Sequence, residues 1–473
     1  MSTDDEAIMT RFPSEYPLLK CIATLVVILW AAPTLVFGQT SGSGAKDEQK
    51  PSASAMPAGI LPLKDYASGF LTGDWGGERS RIAKRGITFE GKFTPIFQSV
   101  TDGGADSGSG TDLSGDLWVN IDFHRMGVIP GGLLTLRVEG NIRDSILDGN
   151  AGTLLPPSHN AILPVATEID GDMIALSDLY YTQFLGPHFG VFLGRFDTHH
   201  NAGFSDFSGL GRDAGNTQFM NLGLTSIPSM VLTEPYVTPF GAGVVVRPND
   251  NILFTAMVMD KQEGSTRLGL DEIGEEGWNV FFAVSAQYRL SGLPGGQTLG
   301  YSYTWDSSFV MLESSQLINL VRGTPLDDES TTWTAIYSLW QYVQVFEGDT
   351  TRPVNLNDNR PDHRGWGIFF QAGVGDEDTN PVHWSVAGGI GGRGIFSSRP
   401  NDTFGLGAFH VDLKSGVVAI LIGLDTAEDG IELFYNFEVT LGFHITPDLQ
   451  IVDPGISAND TAVILGLRAN VIF

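Results

Sequence analysis

From residue 87 onward most of the chain alternates with a period of two. In Gly132–Ile142, Leu134, Leu136 and Val138 fall on one face and Arg137, Glu139 and Asn141 on the other. Trp278–Leu290 sets Val280, Phe282, Val284, Ala286 and Leu290 against Asn279, Ser285, Gln287 and Arg289. Ile431–Thr440 sets Leu433, Tyr435, Phe437 and Val439 against Glu432, Asn436 and Glu438. The last 13 residues repeat the pattern, with Val463, Leu465, Leu467, Ala469, Val471 and Phe473 on one side and Gly466, Arg468 and Asn470 on the other. Such alternation predicts β-strands with one apolar and one polar face.

Taken in order, the expected strands begin with Gly86–Gln98. Asp116–His124 and Gly132–Ile142 flank MGVIPGG. Ile174–Leu185 and Phe189–Phe196 flank GPH, and Thr238–Arg247 and Ile252–Asp260 flank PND. Trp278–Leu290 and Thr298–Asp306 flank SGLPGGQ; then come Thr332–Phe346, Gly365–Val374, His383–Gly391, Thr403–Leu413, Ile431–Thr440, Leu441–Ile451 and the terminal strand. The set makes about 16 strands. Tight connections take turns with long polar ones such as GGADSGSGTDLSG, the stretch from Asp197 to Val231, and Ser307 to Thr331. Upstream, Asp74 is placed to cap a short helix over Gly77–Lys84 that Gly86 stops.

A soluble antiparallel sheet with a solvated face accounts for any one of these strands. A polar face that mixes both charges, amides and aromatics is a poor core when repeated about 16 times, and a reasonable wall for a water-filled lumen. An apolar strand ending in an aromatic at an extreme terminus, where chain ends fray, adds weight, because a barrel in lipid must pair its last strand with its first. The predicted fold is all-β: a closed antiparallel transmembrane β-barrel of about 16 strands with a short N-terminal periplasmic helix. A propeller would show a blade repeat, and none is found.

The leader fits this reading. Residues 21–37, CIATLVVILWAAPTLVF, form an apolar run with a cleavage site after Gly38. Asp4, Asp5 and Glu6 are wrong for a positive leader start, and initiation at Met9 would remove them. An uncleaved anchor is the alternative. The chain then divides into a signal peptide (1–38), a Ser/Gly/Pro-rich flexible linker (39–66) and the barrel (67–473).

Charge and cysteine content narrow the function. The formal charge of -28 becomes about -26 once the leader's four acids and two bases are removed, which argues against a nucleic-acid partner. The sole cysteine, Cys21, lies in the leader, so disulfides, thiol nucleophiles and thiolate metal sites are excluded from the mature chain.

Three stretches together resemble the OprB-type carbohydrate-selective porin family: GDWGGERSRIAKRGITFEGKFT near the mature start, FGVFLGRFDT (189–198), and the ending from EDGIELFYNFEV to GLRANVIF. The resemblance spans residues 67–473. It implies a 16-stranded outer-membrane barrel that passes monosaccharides and small oligosaccharides by diffusion. It also gives Phe473 a role as the recognition end for the barrel-assembly machinery, beside anchoring at the interface.

A sugar channel needs donors and acceptors for hydroxyls, and aromatic faces for sugar rings, at weak affinity. The candidate lumen groups are Arg137, Glu139, Arg195, Asp197 and Glu432, with Trp118 and Trp340 as ring-stacking residues. Strict parity sets Arg195 with Val191 and Leu193, so a bulge or a rim position is needed to bring it inward. For each charged group the competing role is a cross-strand brace. Asp197 with His199-His200 is a weak metal signal, since adjacent histidines point apart. The serines near Ser109 lack a nucleophile-elbow context, and no phosphate-binding glycine loop occurs. No cofactor and no catalytic site is expected. The expected partners are small sugars in the lumen, outer-membrane lipid and the assembly machinery, with a homotrimer possible. A general or cation-preferring pore, a barrel-borne hydrolase and a soluble β-rich protein remain the rivals.

Overall fold

The computed structural model describes residues 59–63, 66–144, 150–161, 173–198, 205–208, 218–231, 239–261, 270, 273–310, 328–347, 361–414, 423 and 425–473. The leader and most of the linker lie outside the described residues, as do His199 and His200.

The described chain opens with a clasp. A 3-10 turn at Tyr66–Gly69 leads to helix α1, Glu78–Lys84. Asp74 starts that helix, its carboxylate accepting the Ser80 N–H at 2.7 Å. The segment is tied to the first strand by one side chain: the Tyr66 hydroxyl donates to the Phe89 carbonyl (2.6 Å) and accepts the Phe89 N–H (2.9 Å). Tyr66, the last residue of the expected linker, is buried. The Arg79 guanidinium lies over the rings of Phe70, Trp75 and Phe89, at 3.9, 4.5 and 4.9 Å.

The strands follow. In chain order they are β1 Ile87–Gly104, β2 Gly108–Asp122, β3 Gly132–Asp144, β4 Met173–Phe184, β5 Phe189–Arg195 and β6 Phe240–Asn249. Next come β7 Ile252–Asp260, β8 Trp278–Leu290, β9 Leu293–Trp305 and the two-residue pair β10 Phe309–Val310 and β11 Asp328–Glu329. The last seven are β12 Thr332–Val345, β13 Gly365–Gly375, β14 Val382–Arg393, β15 Thr403–Leu413, β16 Ala427–Thr440, β17 Phe443–Asp453 and β18 Asp460–Ile472. All but β10 and β11 form one closed antiparallel barrel in which β1 pairs β18. Sixteen strands make the wall, as the alternation predicts.

Parity decides which side chains meet lipid. Phe93, Phe97, Leu117, Leu193, Phe254, Phe282, Leu433, Leu465 and Leu467 are exposed on the outside, a belt that only a bilayer covers favourably. No described helix is long and apolar enough to cross a membrane; the crossing elements are strands.

Several expected boundaries change, among them β16, which starts at Ala427 instead of Ile431 and so includes Glu428. GGADSGSGTDLSG is not a long loop: β1 runs to Gly104, β2 starts at Gly108, and Val100 pairs Gly108. Its inward positions hold Gly110, Asp112 and Ser114, which a polar lumen accepts, so low hydrophobicity concealed a ladder that backbone bonds sustain. SGLPGGQ is likewise mostly strand. The hairpin is only Ser291-Gly292, at φ 52° and 84°, where both central residues of a type I′ turn belong. The alternation of tight and long connections is also imperfect. At the tight end 346–364 and 394–402 are long, and at the opposite end 376–381 and 454–459 are short.

Candidate functional site: the narrowed lumen

Two connections at the loop end fold into the barrel. Residues 150–161 lie between β3 and β4. Residues 205–208 and 218–231 lie between β5 and β6, the second carrying helices α2 Leu222–Thr225 and α3 Pro228–Val231. They enter because the facing wall is bare. A Cβ on Gly367 or Gly391 would meet Phe207 at 2.5 and 3.0 Å, one on Gly405 would meet Phe219 at 2.7 Å, and one on Gly407 would meet Leu224 at 2.7 Å. These inward glycines of β13–β15 form a recess. In it Phe207, Phe219, Leu222 and Leu224 pack on Phe369, Phe409, Phe434 and Tyr342 in one buried cluster.

Polar fasteners fix the loops along the wall. Glu432 accepts the backbone N–H groups of Met220 (2.5 Å) and Asn221 (2.9 Å). Glu428 does the same for Leu154 (2.5 Å) and Leu155 (2.8 Å), and also takes Gly455 N–H at 2.8 Å. Gln371 donates to the carbonyls of Leu224 (3.1 Å) and Ser226 (2.7 Å), and Arg468 to that of Gln218 (2.8 Å). The two loops meet at His159 Nδ1 and the Thr225 hydroxyl, 2.8 Å apart.

On β2–β4 the wall carries charge. Arg137 donates to Asp116 through Nε (2.9 Å) and Nη2 (2.6 Å), to Glu139 through Nη2 (3.1 Å) and to Asp197 through Nη1 (2.6 Å). Ser177 Oγ donates to Glu139 at 2.8 Å, and Asp178 accepts the Asp197 N–H at 2.8 Å. Asp197 opens the long inward loop, so the guanidinium ties the loop's root to the wall. Buried charges persist only when paired in this way. Arg137 and Lys92 lie over the Trp118 ring at 4.6 and 4.9 Å.

The structure brings Arg137, Glu139, Asp197 and Trp118 into this one cluster, with Asp116 as a member that sequence reading missed. Trp118 is 2% exposed, its ring taken up by the two cations. Glu432 faces inward at 0% exposure and holds the loop backbone. Trp340 packs edge-on to Phe207, centroids 6.4 Å apart. Arg195 lies buried at the end of β5 after Gly194, whose φ of 140° breaks the alternation; Arg195, Phe196 and Asp197 are buried in succession. Phe473 pairs with Gly91 by two backbone bonds, 2.7 and 2.8 Å, and its ring lies where a Gly91 Cβ would be, within 2.6 Å. The missed elements are Asp116, Glu428 and the recess. Only the recess left a sequence signal, glycines two apart at 365/367, 389/391 and 405/407.

A closed 16-strand barrel with loops folded into its lumen and an apolar outer belt is a pore-forming outer-membrane barrel of the porin class. The chain belongs to the carbohydrate-selective porins of the OprB family, whose model matches residues 119–473. The matched range starts within β2, so the resemblance of residues 73–94 falls before it. Porin B of Pseudomonas aeruginosa is 24% identical over 200 residues, 38% of this chain and 42% of that protein. The high-pH structure of Pseudomonas putida OprB shares the fold at a TM-score of 0.71 and 19% identity, covering 86% of this chain and 98% of that one. The low-pH structure of the same protein aligns at 0.53 and 15% identity, over 86% and 99%.

Proposed function

We propose that the protein is an outer-membrane pore through which monosaccharides and small oligosaccharides diffuse passively, exported with a leader cleaved after Gly38. The observation that carries the reading is the narrowed lumen. Two loops are pinned to the wall by Glu428 and Glu432, and the Arg137 cluster on β2–β4 gathers donors and acceptors of the kind that match sugar hydroxyls. A rigid frame of this kind discriminates by shape and hydrogen bonding while binding weakly enough to release. Small sugars, lipid around the belt, the barrel-assembly machinery reading Phe473, and two further copies of the chain in a trimer are the partners of this reading.

A cation-preferring general pore is the second reading, favoured by one observation: Arg137 is surrounded by Asp116, Glu139 and Asp197, more acid than base. Liposome swelling decides between them. Glucose is expected to enter faster than a neutral non-sugar of equal size. Equal rates would remove the sugar selectivity and leave the pore.

A further inference from the structure

The wall beside the charged cluster, reached through β5, is of another character. Along the middle of β6–β8 the inward positions are Gly241, Gly243 and Val245, then Leu253, Thr255, Met257 and Met259, then Phe281, Ala283 and Ser285; the charged residues of this face, Arg247 and Arg289, stand only at its tight-turn end. A lumen wall that met only water and sugar hydroxyls would have no reason to gather apolar side chains across three consecutive strands. All of these mid-strand residues but the two glycines line a half-open cavity of about 300 Å³ together with Tyr180, Phe192 and Phe196.

The cavity is framed by rigid rings. Phe192 meets Phe196 edge-on with centroids 5.3 Å apart, and Tyr180 meets Phe196 at 6.4 Å. Gly243 makes room for this frame, since a Cβ there would meet the Phe192 ring at 2.3 Å. Three thioethers, Met230, Met257 and Met259, complete the lining. Methionine adapts its shape to a ligand and contacts aromatic rings favourably. Polar groups are confined to a few positions of the lining. Asp197 is the carboxylate that also holds Arg137, and Thr182, Thr255 and Ser285 contribute hydroxyls.

We propose that this cavity is a subsite for aryl glycosides. The sugar hydroxyls are met by Asp197 and the threonines, and the aromatic aglycone lies against the phenylalanine–methionine wall. The proposal rests on the sugar-channel reading above. A bare sugar pressed into this lining would leave hydroxyls without partners, whereas a flat hydrocarbon ring gains by leaving water. The volume is at the small end of the roughly 300–1000 Å³ typical of ligand pockets, which suits one aromatic ring and its glycosidic link.

The test is occlusion of single-channel ion current in the full-length protein by methyl β-glucoside and phenyl β-glucoside. Phenyl β-glucoside is expected to occlude at about tenfold lower concentration, from burial of one ring. In Met257→Thr, and independently in Leu253→Thr, the preference should fall towards parity. Both variants are checked for a compact heat-modifiable form first, so that a folding defect in one leaves the other to decide. Equal occlusion by the two glycosides in the natural protein overturns the subsite and leaves the sugar channel standing. A phenyl preference that survives both substitutions in folded barrels overturns the location. Occlusion by neither glycoside removes the sugar channel and the subsite together.

Discussion

Glu428 and Glu432, both on the lumen face of β16, hold two different inward loops by the same device. Each carboxylate takes a pair of consecutive backbone N–H groups, Leu154 and Leu155 for the first, Met220 and Asn221 for the second. Four residues of strand separate the hooks by about 13 Å, so the two loops are fastened at different depths of the lumen. A carboxylate suits the task, because both its oxygens accept and ionic hydrogen bonds to N–H groups are stronger than neutral ones. The position of both loops in the lumen is thereby fixed by side chains of the wall.

Replacing Glu432 by Gln turns one acceptor into a donor facing an N–H. The loss of a buried partner costs about 1–3 kcal/mol, enough to loosen the 218–231 segment while the barrel ladder persists. Glu432→Gln is expected to raise single-channel conductance and to admit larger sugars in liposome swelling. Unchanged conductance and size cut-off would mean that this loop does not set the passage.

Arg137 gives a prediction about ions. Arg137→Gln strips the cation from Asp116, Glu139 and Asp197, and removing one partner of a buried ion cluster costs about 3–5 kcal/mol. The wall becomes more negative. Reversal potentials in a KCl gradient should shift towards cation selectivity, with a lower temperature of heat modification. Asp197→Asn should move the potential the other way. A potential that ignores both substitutions would set the cluster apart from the ion path.

The local part of this structure was legible and the long-range part was not. Alternation is a property of neighbours, so Glu432, Arg137 and Glu139 could be assigned to the inward face directly. What Glu432 holds lies 211 and 212 residues away in sequence, and no local pattern carries that. Asp116 escaped notice because it joins Arg137 only through register, with Trp118 opposite Arg137 and Asp116 opposite Glu139. Residues 108–115 were misread for a different reason: in a barrel with a polar lumen, a strand can be built from glycine, serine and aspartate. Arg195 breaks parity because Gly194 leaves the regular strand conformation.

At the seam, Phe473 contributes two backbone bonds to Gly91 and a ring over its bare Cα. Deleting Phe473 removes all three contacts at one end of the β1–β18 ladder. Yield of heat-modifiable barrel in the membrane is expected to drop several-fold, while molecules that do assemble keep their conductance. Normal yield would count against a role for this residue in assembly.

The clasp beside that seam should be sensitive to alkali. Burial pushes the Tyr66 phenol up to about 12 from its ordinary 10.0, against the partial relief of its bond to Phe89. The unfolded chain therefore releases this proton before the folded one does. The clasp's contribution is whole below pH 10.0 and is lost as pH rises towards 12. The Tyr66→Phe variant lacks the titrating group and leaves the Phe89 N–H without its acceptor, a cost of about 1–3 kcal/mol at neutral pH. Heat-modification midpoints measured from pH 8 upward should show the variant lower at neutrality. The gap to the natural protein should then close through the alkaline window, because only the natural protein loses the Tyr66 term there. A gap that stays constant with pH would mean that the phenol does not hold the clasp to β1.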